Sequence, residues 1–345
     1  GNDSGGQHKD WSTEFVGWGA KGSTTPQGLV ETYFDMLGDS ATQFNNGQIA
    51  QDVNGNDIAE LYVTPEGLDL KQLVQKFLLG AVAYSQGADD YLEYAAEDDG
   101  KGLRQDNTAL KDGKVYTNLE HNFDEGFGYF GAARDYLDYS DDELASKDGR
   151  AEYQGAHDSN GDGEIDLNTE YNFGNSTNAA KRDRGTKGNA NPTDYTADAF
   201  NNFLAARKII QDNRLTTMSD ADLQSLIAAT KAAVDAWELS IVGTVVHYIN
   251  DTNDDLTLLK DGSAEFDFAT MAKHWSEMKG FALGLQFNPA KKLTDEQFAE
   301  LHTLMGDKPV IQGAADIEAY MADLVKARDI IQEAYAFDQE TVEKW

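Results

Sequence analysis

The sequence predicts a mainly α-helical protein built as duplicated helical bundles, with a Gly/Asn/Asp-rich insert that carries a calcium-type loop. Three observations predict it. From about residue 68 onward, apolar residues recur at spacings of three and four rather than two. Only five prolines occur, and none interrupts a proposed helix. Strand signals are scarce, with 58–64 the one short run that qualifies.

Taken in chain order, residues 1–28 are rich in Gly, Ser, Thr and Asn without any period. They read as a flexible tether, lightly anchored by Trp11, Phe15 and Trp18. The chain does not start with Met, and such polar starts often follow the lipid-bearing cysteine of a bacterial lipoprotein. A removed targeting segment and a lipid anchor upstream of Gly1 are therefore expected. Residues 29–345 read as one helical domain of two similar halves, about 29–140 and 194–345, separated by an insert at 141–193.

In the first half Leu70, Leu73, Val74, Phe77, Leu78, Val82 and Tyr84 share a helical spacing, and a second such stretch runs over 116–137. Helices are expected in the second half over 194–213, 219–250, 266–287, 294–306 and 313–337. Ser140 with Glu143, and Thr294 with Gln297, fit the capping box, and Ser219 with Asp222 is a looser version. The halves also echo each other. Leu79-Gly80-Ala81-Val82-Ala83-Tyr84 resembles Val242-Gly243-Thr244-Val245-Val246-His247, and the stretch from His121 to Gly126-Phe127 resembles that from His274 to Gly280-Phe281.

Composition removes several function classes. With 28 Lys+Arg against 61 Asp+Glu the net charge is −33, which repels phosphate backbones and anionic lipid and argues against nucleic-acid binding. A hydrophobic share of 40% is too high for a disordered chain. No apolar run approaches the roughly 20 residues of a membrane span. The absence of cysteine removes disulfides, thiol catalysis, iron–sulfur clusters and zinc–thiolate sites.

Two histidine–acid groups are the first candidates for chemistry. His121 has Asp124 and Glu125, and His274 has Glu277, three or four residues along the same helix face. Imidazoles beside carboxylates suit Fe, Mn or Zn, and helical bundles build metal sites from a related Glu-x-x-His pattern. The same pattern also arises from exposed ion pairs in an acidic chain. Gly126, Gly128, Gly131, Gly280 and Gly284 fall inside helical patterns, each costing about 1 kcal/mol relative to Ala. They imply close backbone approach to another helix or to a ligand. The string Gly126-Phe127-Gly128-Tyr129-Phe130-Gly131 fits the dinucleotide fingerprint in letters only, because no strand precedes it. His247 lies on a largely apolar helix face and joins His274 as a third ligand only if the two helices are neighbours; His302 reads as a surface residue.

Asp158-Ser159-Asn160-Gly161-Asp162-Gly163-Glu164-Ile165-Asp166 resembles the calcium loop of EF-hand and dockerin-type modules. Asp158, Asn160, Asp162, Glu164 (through its carbonyl) and Asp166 supply the expected Ca²⁺ ligands. Thr169 stands where the bidentate Glu belongs, with Glu170 one step late.

The stretches His274-Trp275-Ser276-Glu277-Met278-Lys279-Gly280-Phe281 and His121-Asn122-Phe123-Asp124-Glu125-Gly126-Phe127 resemble those of a bacterial lipoprotein family of unknown function related to the imelysins. Imelysin-like proteins are two-bundle cell-envelope proteins linked to iron acquisition, with a G-x-H-x-x-E motif. His274 and Glu277 match its H-x-x-E part, while Ala272 and Leu119 stand where its glycine would be. The resemblance implies a non-enzymatic lipoprotein of the periplasm or outer membrane that binds a metal or a small iron-containing ligand, with an envelope protein as partner. A metal-dependent hydrolase using Glu277 as base, after the peptidase label of the imelysins, stays open, as does an adaptor with no ligand chemistry.

Overall fold

A computed structural model of the chain describes residues 8–94, 100–145 and 156–345. The first seven residues of the expected tether and residues 146–155 of the insert lie outside these. Among the described residues the α-helices follow in order: α1 Pro26–Asn45, α2 Leu70–Leu78, α3 Asn118–Phe130, α4 Asp141–Ala145, α5 Gly174–Thr186, α6 Tyr195–Asp212, α7 Asp220–Lys260, α8 Phe268–Gly284, α9 Asp295–Met305, α10 Ala314–Tyr335 and α11 Gln339–Lys344. α2 runs on into two π-helical turns, Leu79–Tyr84 and Gln86–Tyr91. The mainly α fold is as the sequence predicts.

The termini of these helices follow from local chemistry. Thr117 and Glu120 form a reciprocal capping box on α3, and Thr294 and Gln297 form the one read from the sequence on α9. Ser219 accepts from the Asp222 backbone to start α7, and Ser140 and Glu143 exchange bonds ahead of α4. α1 begins with Thr25 as N-cap and Pro26 in its first turn.

α7 is the axis of the molecule. Its 41 residues span about 60 Å, and Trp237, Ile241, Val242, Val245, Val246 and Ile249 are buried through its middle. α6 and α8 flank it, with α5 and α10 completing its surround. α2 lies along α8, and α3 sits against α6 and the π-helical turns. Residues before and after the insert therefore share one core around α7. Glu238 fastens them: the hydroxyls of Tyr84 and Tyr335 donate to it at 2.8 and 2.7 Å, the Lys292 N–H at 3.1 Å, and the Asn288 amide also donates.

Glycines set how close these helices come. A Cβ at Gly80 would lie 2.3 Å from the Gly284 Cα, and one at Gly280 would lie 2.7 Å from the Lys76 Cβ of α2. Gly126 faces Leu92, and Gly131 ends α3 in the left-handed conformation at φ 79°. Gly128 alone of the five meets nothing within 4 Å.

Four expectations are corrected. Residues 8–25 are not a free tether: Trp11 and Phe15 are each 1% exposed, with their rings 4.9 Å from Phe287 and 5.9 Å from Phe77. The Gln286 amide holds the Val16 backbone in both directions at 3.1 Å. Residues 58–64 form no strand; the nearby pairings are isolated bridges, Gln51 with Asp57 and Val63 with Asp69. The insert contains a helix, α5, that buries Asn175, Ser176, Arg182 and Asp183 against its neighbours. His302 is buried rather than at the surface, packed on Phe298, and burial pushes its imidazole well below the usual range. No helix among the described residues is long and apolar enough to cross a membrane.

Candidate functional site

The two histidine–acid groups of the sequence have different surroundings. On α3, the His121 Nε2 pairs with Glu125 Oε1 at 3.0 Å, and the ring stacks on Tyr116 with centroids 5.3 Å apart. Asp124 turns away to the Arg207 guanidinium of α6 at 2.7 Å. Buried Glu120 joins it, receiving Arg207 at 3.3 Å and Arg214 at 3.1 Å. Desolvation works against the charge of Glu120, yet the Thr117 N–H and the two guanidiniums hold its carboxyl below the usual range. His121, Asp124 and Glu125 thus share a helix but are not gathered around one point.

On α8, His274 and Glu277 also part company. Glu277 reaches Lys76 of α2 at 3.2 Å and Lys273 at 3.7 Å, and the Tyr248 hydroxyl donates to it. His274 faces α7 instead. Its Nδ1 lies 2.8 Å from Asp255 Oδ2, and its Nε2 lies 3.7 Å from Asp251 Oδ2. The same Asp251 oxygen lies 3.4 Å from His247 Nε2. The neighbouring of α7 and α8, on which a role for His247 depended, is present. His247, Asp251 and Asp255 recur every fourth residue and so line one face of α7.

The electrostatics of this group are unequal. Burial pushes the His247 imidazole down to about 3, with the charges of Arg182 and His274 adding to it. For His274 burial acts in the same direction, but the hydrogen bond and charge of Asp255 and the charge of Asp251 outweigh it and raise it. Burial raises the Asp251 carboxyl. With Nδ1 donating to Asp255, the raised His274 imidazole favours a second proton on Nε2, directed at the Asp251 oxygen that the His247 Nε2 also faces. Two imidazole N–H groups can both donate to one carboxylate oxygen, and a cation taking their place would use the same three atoms. Bonds of about 2.0–2.1 Å in a tetrahedral shell set donor atoms about 3.4 Å apart, close to these separations. Among the described residues no group of three or more His, Asp or Glu is placed where it could hold a metal ion; the separations of 3.4 and 3.7 Å exceed the bond lengths of any metal shell. No ion pair or hydrogen bond links this group to the His121 pair among the described residues.

The Asp-rich loop is wound on its own backbone. Asp158 accepts from the N–H groups of Gly161 and Gly163 at 2.7 and 2.9 Å, Asn160 from Asp162 at 2.8 Å, and Asp162 from Glu164 at 2.9 Å. Asp166 accepts from Asn168 at 2.9 Å. Buried Glu170 accepts from Ser159 and Asp166, both at 3.0 Å. The one acid near the twelfth position therefore caps the loop rather than facing its interior, and Thr169 bonds Asp166. The ligand set expected for Ca²⁺ lacks its bidentate member.

Three acids escaped the sequence reading. Asp251 and Asp255 carry weight only beside α8, and Glu238 only where Tyr84, Asn288 and Tyr335 converge. The four-residue spacing from His247 is the one signal that points to the first two.

Residues 17–146 match a family described as a domain of unknown function (DUF4856). The match takes in α1 to α4 and His121, and stops short of α7 and α8. No curated protein and no solved structure matches the chain.

Proposed function

We propose that this chain is a non-enzymatic binding protein of the bacterial cell envelope. It takes a transition-metal ion, free or within a small iron-containing ligand, between α7 and α8. The carrying observation is the convergence of His247 Nε2 and His274 Nε2 on Asp251 Oδ2, with Asp255 fixing the far nitrogen of His274. A carboxylate behind a ligating histidine orients the ring and makes its free nitrogen more basic. Two imidazoles and a carboxylate suit Fe, Zn or Mn by ligand type. The envelope location, the lipid anchor and the link to iron acquisition rest on the imelysin-like resemblance around His274 and Glu277.

His121, Asp124 and Glu125 stay outside the proposed centre, because a cation there must displace Arg207 from Asp124 and break the His121–Glu125 pair. Glu277, the base a hydrolytic reading needs, is held by Lys76, Lys273 and Tyr248. The loop at Asp158, Asn160, Asp162, Glu164 and Asp166 is assigned a structural Ca²⁺ of low affinity, since Glu170 is turned to the backbone.

Titration calorimetry with Zn²⁺, on protein purified without metal-affinity resin, tests the centre. One ion per chain is expected. Binding should weaken strongly in His274→Ala and His247→Ala, fall about 10–100-fold in Asp255→Ala, and stay unchanged in His121→Ala. Uptake unaffected by His274→Ala, or no uptake at all, overturns the proposal.

A further inference from the structure

A second site lies away from α7 and α8, where α3, α6 and the segment 167–173 enclose a cavity of about 590 Å³. That volume falls within the range of small-molecule sites. Its inner wall is aromatic, with the Phe127 and Phe203 rings 5.4 Å apart, and its outer wall is Tyr171 against Phe173 at 4.8 Å.

Two independent features mark the cavity as built for an occupant. Leu167, Phe173 and Leu204 border it while remaining 60%, 45% and 51% exposed, a concentration of wet apolar surface at one place. Gly128 also borders it. Glycine inside a helix is unfavourable relative to alanine, and the other glycines of this motif have a packing partner or a left-handed φ to explain them. A Cβ at Gly128 meets nothing within 4 Å, so no protein contact requires its absence. The glycine keeps the cavity open.

The charged groups on the rim set the ligand's polarity. Asp124 and Arg207 neutralise each other. The Arg134 guanidinium, also on the rim, is exposed and makes no ion pair or hydrogen bond among the described residues. A cation that feels Asp166 but is held by no ion pair or hydrogen bond, beside an aromatic wall, recognises one anionic group on a flat apolar body. The net charge of −33 disfavours polyanions at long range.

We propose that this cavity binds a small aromatic monoanion, its ring system lying against the α3 and α6 phenylalanines and its carboxylate on Arg134. The test uses two fluorescent dyes of similar shape, anionic anilinonaphthalene sulfonate and uncharged phenylnaphthylamine, with naphthoate as competitor. Both dyes should bind at one site per chain and be displaced by naphthoate. Gly128→Leu, which sends a side chain into the cavity, should weaken both at least tenfold without lowering the melting temperature. Arg134→Ala, an exposed position that leaves folding intact, should weaken the anionic dye at least fivefold and leave the uncharged dye unchanged. Dye binding insensitive to Gly128→Leu, equal loss of both dyes in Arg134→Ala, or displacement by phenylalanine amide but not by naphthoate overturns the proposal. The last outcome assigns the cavity to a partner protein's side chain instead.

Discussion

Replacing Gly80 by Ala puts the crossing of its helical turn against Gly284 under direct test. The added Cβ lies 2.3 Å from the Gly284 Cα and 3.4 Å from its N and C atoms. Carbon atoms rest about 3.5–4.0 Å apart, so the two segments must part by more than about 1 Å. Neither side yields easily. The obstruction is backbone, and Phe77, Leu283 and Leu285 around it are buried. Overpacking of a tight core costs about 1–3 kcal/mol, with a backbone clash at the upper end, and alanine returns at most about 1 kcal/mol of helix propensity. A net loss of about 2 kcal/mol is expected. The reverse substitution, Gly284→Ala, brings its Cβ only to 3.0 Å from the Gly80 Cα and should cost less. Gly128→Ala meets open space and should stabilise by about 0.5–1 kcal/mol. Urea unfolding followed by far-UV circular dichroism gives all three from shifts in midpoint at constant slope. Gly80→Ala as stable as the parent, or less damaging than Gly128→Ala, would refute the crossing as described.

Three further outcomes follow from buried groups. Glu238→Ala strips the acceptor from two tyrosine hydroxyls, the Asn288 amide and the Lys292 N–H; at about 1–3 kcal/mol per orphaned donor it should cost more than about 4 kcal/mol in urea melts, and Glu238→Gln clearly less. Burial pushes the Lys279 ammonium down from 10.5 to about 8. Between those values the unfolded chain holds a proton that the folded chain has lost, so this group makes stability rise with pH across that window by roughly 3 kcal/mol. Lys279→Met should abolish the rise, seen by comparing urea midpoints near neutrality with those near the upper end of the window. Trp11→Ala should free residues 8–25, lowering stability by about 3–5 kcal/mol and opening that segment to limited proteolysis; unchanged protease resistance contradicts its packing role.

The fold was legible wherever apolar spacing and caps agreed. The α9 capping box at Thr294 and Gln297 and the apolar stripe of α2 lie where the sequence places them. α1 was readable too, with Thr25, Pro26 and the spacing of Leu29 and Tyr33, but the glycine-rich start obscured it. α5 was not readable from hydrophobic period, because much of its buried face is polar: Asn175, Asn178, Arg182 and Asp183 sit inside with the alanines. The N-terminal segment misled for the opposite reason. Its composition is that of a linker, and three isolated aromatics, rather than any periodicity, fix two of its turns to the core.

The candidate site was half legible. His274 and Glu277 lie on one helix as read, but which carboxylate each histidine meets depends on the neighbouring helix. α7 supplies Asp251 and Asp255 to His274, while α2 takes Glu277 with Lys76. Among 61 acids such cross-helix choices leave no mark in the sequence. Asp124 shows the same limit, since Arg207 lies 83 residues away.

Anomalous diffraction at a metal absorption edge, from crystals grown with Zn²⁺ or Fe²⁺, tests directly for the proposed cation between α7 and α8. The expected result is one peak between His247 Nε2, His274 Nε2 and Asp251 Oδ2, about 2.0–2.2 Å from each. A peak beside His121 and Glu125, or none between the two helices at saturating metal, contradicts it.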